Sequence, residues 1–111
     1  MLADERMEDV RKIRFKVRGG SLKPPIIEFD QSIGAWYVRF GHAKIAKTIS
    51  EDRPGFIAAI DLDANNEVVG LELIGPMEFS LRWLRKVSPV DLSKVDLDGA
   101  RFLPAASLVP A

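Results

Sequence analysis

The stretch 56–74, FIAAIDLDANNEVVGLELI, admits two incompatible readings, and the fold follows from the choice between them. In the first it is a β-hairpin. FIAAIDLD and VVGLELI are rich in β-branched and aliphatic residues, and strand side chains alternate between faces. Phe56, Ala58, Ile60 and Leu62 then line one face of the first strand, and Val69, Leu71 and Leu73 line one face of the second. The intervening ANNE supplies the turn, because Asn65 and Asn66 tolerate the left-handed backbone that tight hairpins require. In the second reading, residues 61–72 form a calcium loop. Asp61, Asp63, Asn65, Glu67 and Glu72 fall at positions 1, 3, 5, 7 and 12 of the EF-hand template, which gathers six to eight hard oxygens. Asn66, however, stands where that template has its sharp-turn glycine, and it needs helices on both sides, where this chain has strand formers. The hairpin is therefore the expectation, with the acids at its polar tip and no metal or cofactor assigned.

Working outward toward the N-terminus, IIEFD (26–30) and AWYVRF (35–40) read as two strands joined through QSIG. Trp36, Val38 and Phe40 share one face, and Tyr37 and Arg39 share the other. AKIAKTIS (43–50) reads as a Lys-bearing edge strand, where charge discourages pairing with another molecule. EDRPG (51–55) is a turn, since Pro-Gly fixes one dihedral and frees the next. KIRFKVR (12–18) alternates cleanly, with Ile13, Phe15 and Val17 opposite Lys12, Arg14, Lys16 and Arg18. Residues 1–11 are a polar terminus.

Beyond Gly75 the period changes. PMEFSLRWLRKV (76–87) opens with a proline suited to a first helical position and sets Phe79, Trp83, Leu84 and Val87 on one helical stripe. SPVD at 88–91 repeats the helix-start pattern, with Ser88 as cap. Residues 90–104, VDLSK VDLDG ARFLP, repeat every five residues with Leu92, Leu97 and Phe102 in register. Three such units cannot stack into a solenoid, and chance or two short capped turns accounts for them better. The expected fold is a single α+β domain over 1–111. An antiparallel β-meander of five or six strands occupies 12–74, one helix occupies 76–87, and short turns and an irregular tail occupy 88–111.

The chain's 111 residues include 16 basic and 16 acidic side chains and no cysteine. Zero net charge argues against bulk attraction to nucleic acid or membrane. The lack of cysteine removes disulfides, thiolate metal sites and thiol nucleophiles. No run approaches the roughly 18 apolar residues of a membrane span, and MLADERMEDVRK has none of a signal peptide's apolar character. A cytoplasmic protein is the expectation.

Other patterns carry little chemistry. His42 is the single histidine and sits in a turn. Ser50, Glu51 and Asp52 show no nucleophile–base spacing. No catalytic, cofactor-binding or metal-binding residue is assigned, and the chain is not expected to be an enzyme. The basic stripe Arg11, Lys12, Arg14, Lys16, Arg18 and Lys23 is the basis of an alternative, a nucleic-acid-binding regulator using its first strand. The acids Asp4, Glu5, Glu8 and Asp9 beside it favour a solvated face instead. The face carrying Tyr37 and Arg39 also receives Ile57, Ala59, Val68 and Ile74, an apolar remainder that calls for cover. The Trp83 helix, the C-terminal tail or a second copy of the chain is the expected cover, and a homodimer or a protein partner is the expected association.

From residue 26 to about 75 the chain resembles a family of small bacterial proteins, domain of unknown function 2283. The resemblance rests on IIEFDQSIGAWYVRF, KIAKTIS and IDLDANNEVVGLELI, and most distinctively on VVGLEL. The chain departs from the family pattern at SIGAW, where an acidic turn is commoner, and at Asn66, where glycine is commoner. The resemblance implies a small β-rich module and supplies no catalytic residues, none being established for the family. It further implies a protein-binding role, as the antitoxin-like partner of a two-gene pair.

Overall fold

The computed structural model describes residues 15–17, 23–76 and 78–104. Most of the basic stripe, the polar terminus and the last seven residues lie outside them. The hairpin reading of 56–74 holds: β5 (Phe56–Leu62) and β6 (Val68–Ile74) pair antiparallel, from Ile57 opposite Ile74 to Leu62 opposite Val68. Asn66 takes the left-handed conformation, with φ 63°. The Asp63 carboxylate closes the turn by accepting from the backbone N–H groups of Asn65 at 2.8 Å and Glu67 at 3.0 Å. The register shifts at Asp61/Leu62. A bulge therefore turns Val68 toward the core, correcting its expected place on the opposite face.

The other strands of the main sheet are β2 (Ile26–Asp30), β3 (Ala35–Arg39), β4 (Lys47–Arg53) and β8 (Arg101–Pro104), in the order β4-β5-β6-β3-β2-β8. The β2–β3 hairpin adds to β6, so β3 lies next to β6 and not next to β4. All pairings are antiparallel except β2 with β8, which is parallel. The expected irregular tail thus contributes an edge strand. The first strand also differs from expectation. Its described part, β1 (Phe15–Lys16), pairs in parallel with β7 (Val90–Asp91) in a separate two-stranded ladder. Val17 bridges Val68.

One face of the main sheet carries the core. Ile27, Val38, Leu71 and Ile60 run across four neighbouring strands by register, and none has measurable exposure. Burying each such side chain stabilises the fold by roughly 1.5–3 kcal/mol. Over them lie α1 (Leu81–Val87) and the segment that follows it. The helix is shorter than the sequence suggests, because Ser80 caps it by accepting from the Trp83 N–H at 3.1 Å. Residues 78–80 are not helical, so the cap's hydrogen bond outcompetes the proline start at Pro76. Ser88 ends this helix, donating its N–H to Leu84, and begins no second one. Seven residues are too few to hold a helix in isolation; docking holds it. Phe79 does much of this, stacking on Trp36 at 4.3 Å and meeting Trp83 and Phe102 edge-on at 5.8 and 6.5 Å. Phe29 extends the row at Trp36, and Phe56 extends it at Trp83.

The five-residue repeat has a structural counterpart. The Val95 N–H donates to Leu92 O and the Ala100 N–H to Leu97 O, both at 3.0 Å. Asp91 and Asp96 cap these two turns through the Ser93 and Gly99 N–H groups. The first two units each send a Val-x-Leu pair inward, Val90 with Leu92 and Val95 with Leu97, whereas the third runs into β8 and leaves Phe102 exposed.

Candidate functional site

Side chains that point away from the core define the other face of the sheet, and alternation dictates which they are. β2 contributes Glu28 and Asp30, β3 contributes Ala35, Tyr37 and Arg39, β5 contributes Asp61, and β6 contributes Glu72. With Ile45 from the loop between β3 and β4, they line a groove of about 400 Å³. Registry places Tyr37 between Glu28 on one side and Glu72 on the other.

Two hydrogen-bonded sets fix four of these side chains, those of Glu28, Tyr37, Arg39 and Asp61. The Tyr37 hydroxyl donates to Asp61 Oδ2 at 2.7 Å, and the Thr48 hydroxyl donates to Asp61 Oδ1 at 2.6 Å. One strand further, Arg39 Nη2 lies 3.1 Å from Glu28 Oε1, and the guanidinium sits 5.1 Å from the centre of the Tyr37 ring. Gly70 makes this geometry available. A Cβ at that position would lie 1.7 Å from the Tyr37 hydroxyl oxygen and 2.3 Å from Cζ, so the ring crosses β6 only because position 70 has no side chain. Glycine inside a strand commonly marks such a close approach.

The groove is acidic. Four carboxylates, those of Glu28, Asp30, Asp61 and Glu72, face one guanidinium, that of Arg39. Burial pushes the Glu72 carboxyl above its ordinary value, and the charges of Asp61 and Asp30 push the same way. Burial also raises the Tyr37 phenol, reinforced by its hydrogen bond to Asp61 and the Asp61 charge. The phenol therefore stays protonated at neutral pH and acts as a donor.

A raised carboxyl pKa has a definite sign in folding. The contribution of Glu72 to stability is fully present below the ordinary value of 4.5 and is lost as pH rises through the higher folded value. At neutral pH its ionised form opposes folding. Glu72→Gln is therefore expected to stabilise the protein in urea unfolding at pH 7. That gain over the parent should vanish at pH 4.

The structure disperses the calcium template. Asp61 and Glu72 reach the groove, Asp63 and Asn65 build the hairpin turn, and Glu67 lines a separate small cleft with Lys16 and Asp91. Among the described residues, no three carboxylate or imidazole side chains come together to hold a metal ion. His42 is exposed. Register sets Ser50 and Asp52 on the open side of β4 and Glu51 on the covered side, so these three do not converge. The open face differs from its expected character as well. Its centre is charged; of the apolar residues expected there, Ala59 lies opposite Glu72, and Ile57 and Ile74 pair at one end beside Ala35, while the Trp83 helix packs on the opposite, core face. Among the described residues, no helix is long and apolar enough to cross a membrane.

Comparison with protein-family models finds none that matches this chain, and comparisons with curated proteins and with solved structures likewise find no match.

Proposed function

We propose that this chain is a non-enzymatic protein-interaction module that receives its partner on the open face of the sheet, at the acidic groove. The observation that carries this reading is the asymmetry of the sheet. One face is roofed by α1 and the turns after it. The other presents a fixed, mainly anionic concavity about 400 Å³ in volume. Side chains already held in place lose little freedom on binding, which favours recognition. The excess of carboxylates selects lysine- or arginine-bearing segments, because complementary potentials steer and orient partners. Binding is also favoured over catalysis by the state of the central groups. Both oxygens of Asp61 accept hydrogen bonds, and the Tyr37 hydroxyl is kept protonated, so neither is a poised base or nucleophile.

The resemblance of residues 26–75 to domain of unknown function 2283 supports the same reading, with an antitoxin-like partner in a two-gene pair as its specific form. The nucleic-acid alternative rests on the basic stripe, of which only Lys16 and Lys23 are among the described residues.

The test is amide shift mapping with short peptides of equal length and graded charge. Cationic peptides are expected to move the amides of residues 28–30, 35–39, 61 and 70–72. Their affinity should fall with salt and with Asp30→Lys. Equal response to acidic and basic peptides, or shifts mapping elsewhere, would reject the reading.

A further inference from the structure

The two edges of the main sheet are built differently. β8 is four residues long and ends in Pro104, which cannot donate a ladder hydrogen bond. β4 is seven residues long, is paired along its whole length with β5, and contains neither proline nor glycine. Among the described residues, no strand pairs with its outer side. A long regular edge presents a row of backbone donors and acceptors ready for another strand; Lys47, expected from the sequence to discourage pairing, does so only in registers that set it against a like charge or an apolar side chain.

The side chains along β4 specify which strand that is. Lys47, Ile49, Glu51 and Arg53 share the covered face, opposite Leu62, Ile60, Ala58 and Phe56, and Thr48, Ser50 and Asp52 share the open face. We propose that two copies of this chain join edge to edge through β4, antiparallel, with the twofold axis at Ile49. This is an edge contact and stands apart from the groove reading.

A twofold axis perpendicular to the sheet keeps the two covered faces on the same side. In this register Lys47 of each copy lies opposite Glu51 of the other, and the two Ile49 side chains meet between these pairs. On the open face Thr48 lies opposite Ser50. The alternatives are poorer. An axis at Ser50 sets Lys47 against Arg53 and Ile49 against Glu51. An axis at Thr48 sets Lys47 against Ile49 and Glu51 against Ile45. Opposite charges across a strand pair stabilise it, and like charges destabilise it, so charge selects the register at Ile49. Glu51 already holds Arg53 at 2.9 Å. A carboxylate offers about four lone-pair sites, so holding Arg53 does not bar Glu51 from also facing Lys47 of the other copy. Ile49 packs against the core cluster, and its self-contact carries that cluster across the axis.

Sedimentation equilibrium over a concentration series tests the proposal. The native chain is expected to dimerise. Lys47→Glu and Glu51→Lys each convert two attractive pairs into repulsive ones, and each is expected to raise the dimer dissociation constant about tenfold or more. The double variant restores both pairs and recovers near-native affinity. Because Glu51→Lys also removes the Arg53 partner, a second measurement avoids that residue. The chain has no cysteine, so Ile49→Cys introduces a single thiol, and residues directly opposite in an antiparallel pair lie within disulfide reach. Mild oxidation is expected to cross-link Ile49→Cys rapidly and Ile57→Cys, on the open face, slowly. A native chain that stays monomeric would overturn the proposal. So would a dimer whose affinity ignores both charge reversals, or equal cross-linking of the two thiol variants.

Discussion

Replacing Phe79 with alanine is expected to lower stability by about 3 kcal/mol, the lower end for removing an aromatic ring from a core, because the ring is only partly buried. Phe79 joins three rings at once: Trp36 from the sheet, Trp83 from the helix and Phe102 from the edge strand β8. It also stands immediately before the helix cap at Ser80. Its loss detaches a helix too short to persist alone. Urea unfolding followed by tryptophan fluorescence gives the stability change. Amide exchange of residues 81–87 should rise more than that of β5 and β6, because the sheet retains its own pairing. A uniform rise across both would show that the ring cluster supports the whole molecule and does not act locally.

Gly70→Ala is the second large effect, and its sign is opposite to the usual expectation. Alanine in a strand interior normally improves on glycine by roughly 0.5–1 kcal/mol, because glycine loses more freedom on folding. Here the added methyl would occupy the space of the Tyr37 ring end, so the ring must swing away and release Asp61. The variant is expected to lose about 1–3 kcal/mol, the cost of leaving a partly buried acceptor without its donor and of misplacing a packed ring. In a Tyr37→Leu background the obstruction disappears, and Gly70→Ala should become neutral or stabilising. Urea midpoints for the four proteins of this cycle give the coupling. Additive effects would mean that the ring has somewhere cheap to go and that position 70 does not govern the groove.

How much of this was legible in the sequence depended on how local the controlling interaction is. The hairpin at 56–74 was readable because alternation and the asparagine turn act within a few residues. The core assignment of Val38, Ile60, Leu71 and Leu73 followed from the same alternation. The helix starts later than the sequence predicts because two local signals compete, Pro76 and Ser80, and composition does not weigh a hydrogen bond against a favourable dihedral. Val68 faces the core, against the simple alternation, because one bulge inverts the pattern beyond it. The neighbours of β3 and the parallel edge strand β8 depend on pairings between distant segments, which no local pattern encodes. The groove was hidden for that reason too. Tyr37 and Asp61 are 24 residues apart, and their meeting depends on β3 lying next to β6. The glycine in VVGLELI was the one visible trace, since a strand interior seldom has a reason to omit its side chain.

The position of the roof late in the chain has a consequence for biosynthesis. β2 through β6 emerge first, but the residues that cover their apolar face, from Phe79 through Leu97, follow them, and the strand that flanks β2 comes at 101–104. A nascent chain therefore passes through an interval in which Ile27, Val38, Ile60 and Leu71 form an unshielded oily surface, the kind of intermediate on which chaperones act. Interrupted translation inside that interval would leave a product prone to clump, whereas a few dozen residues more would yield a closed molecule.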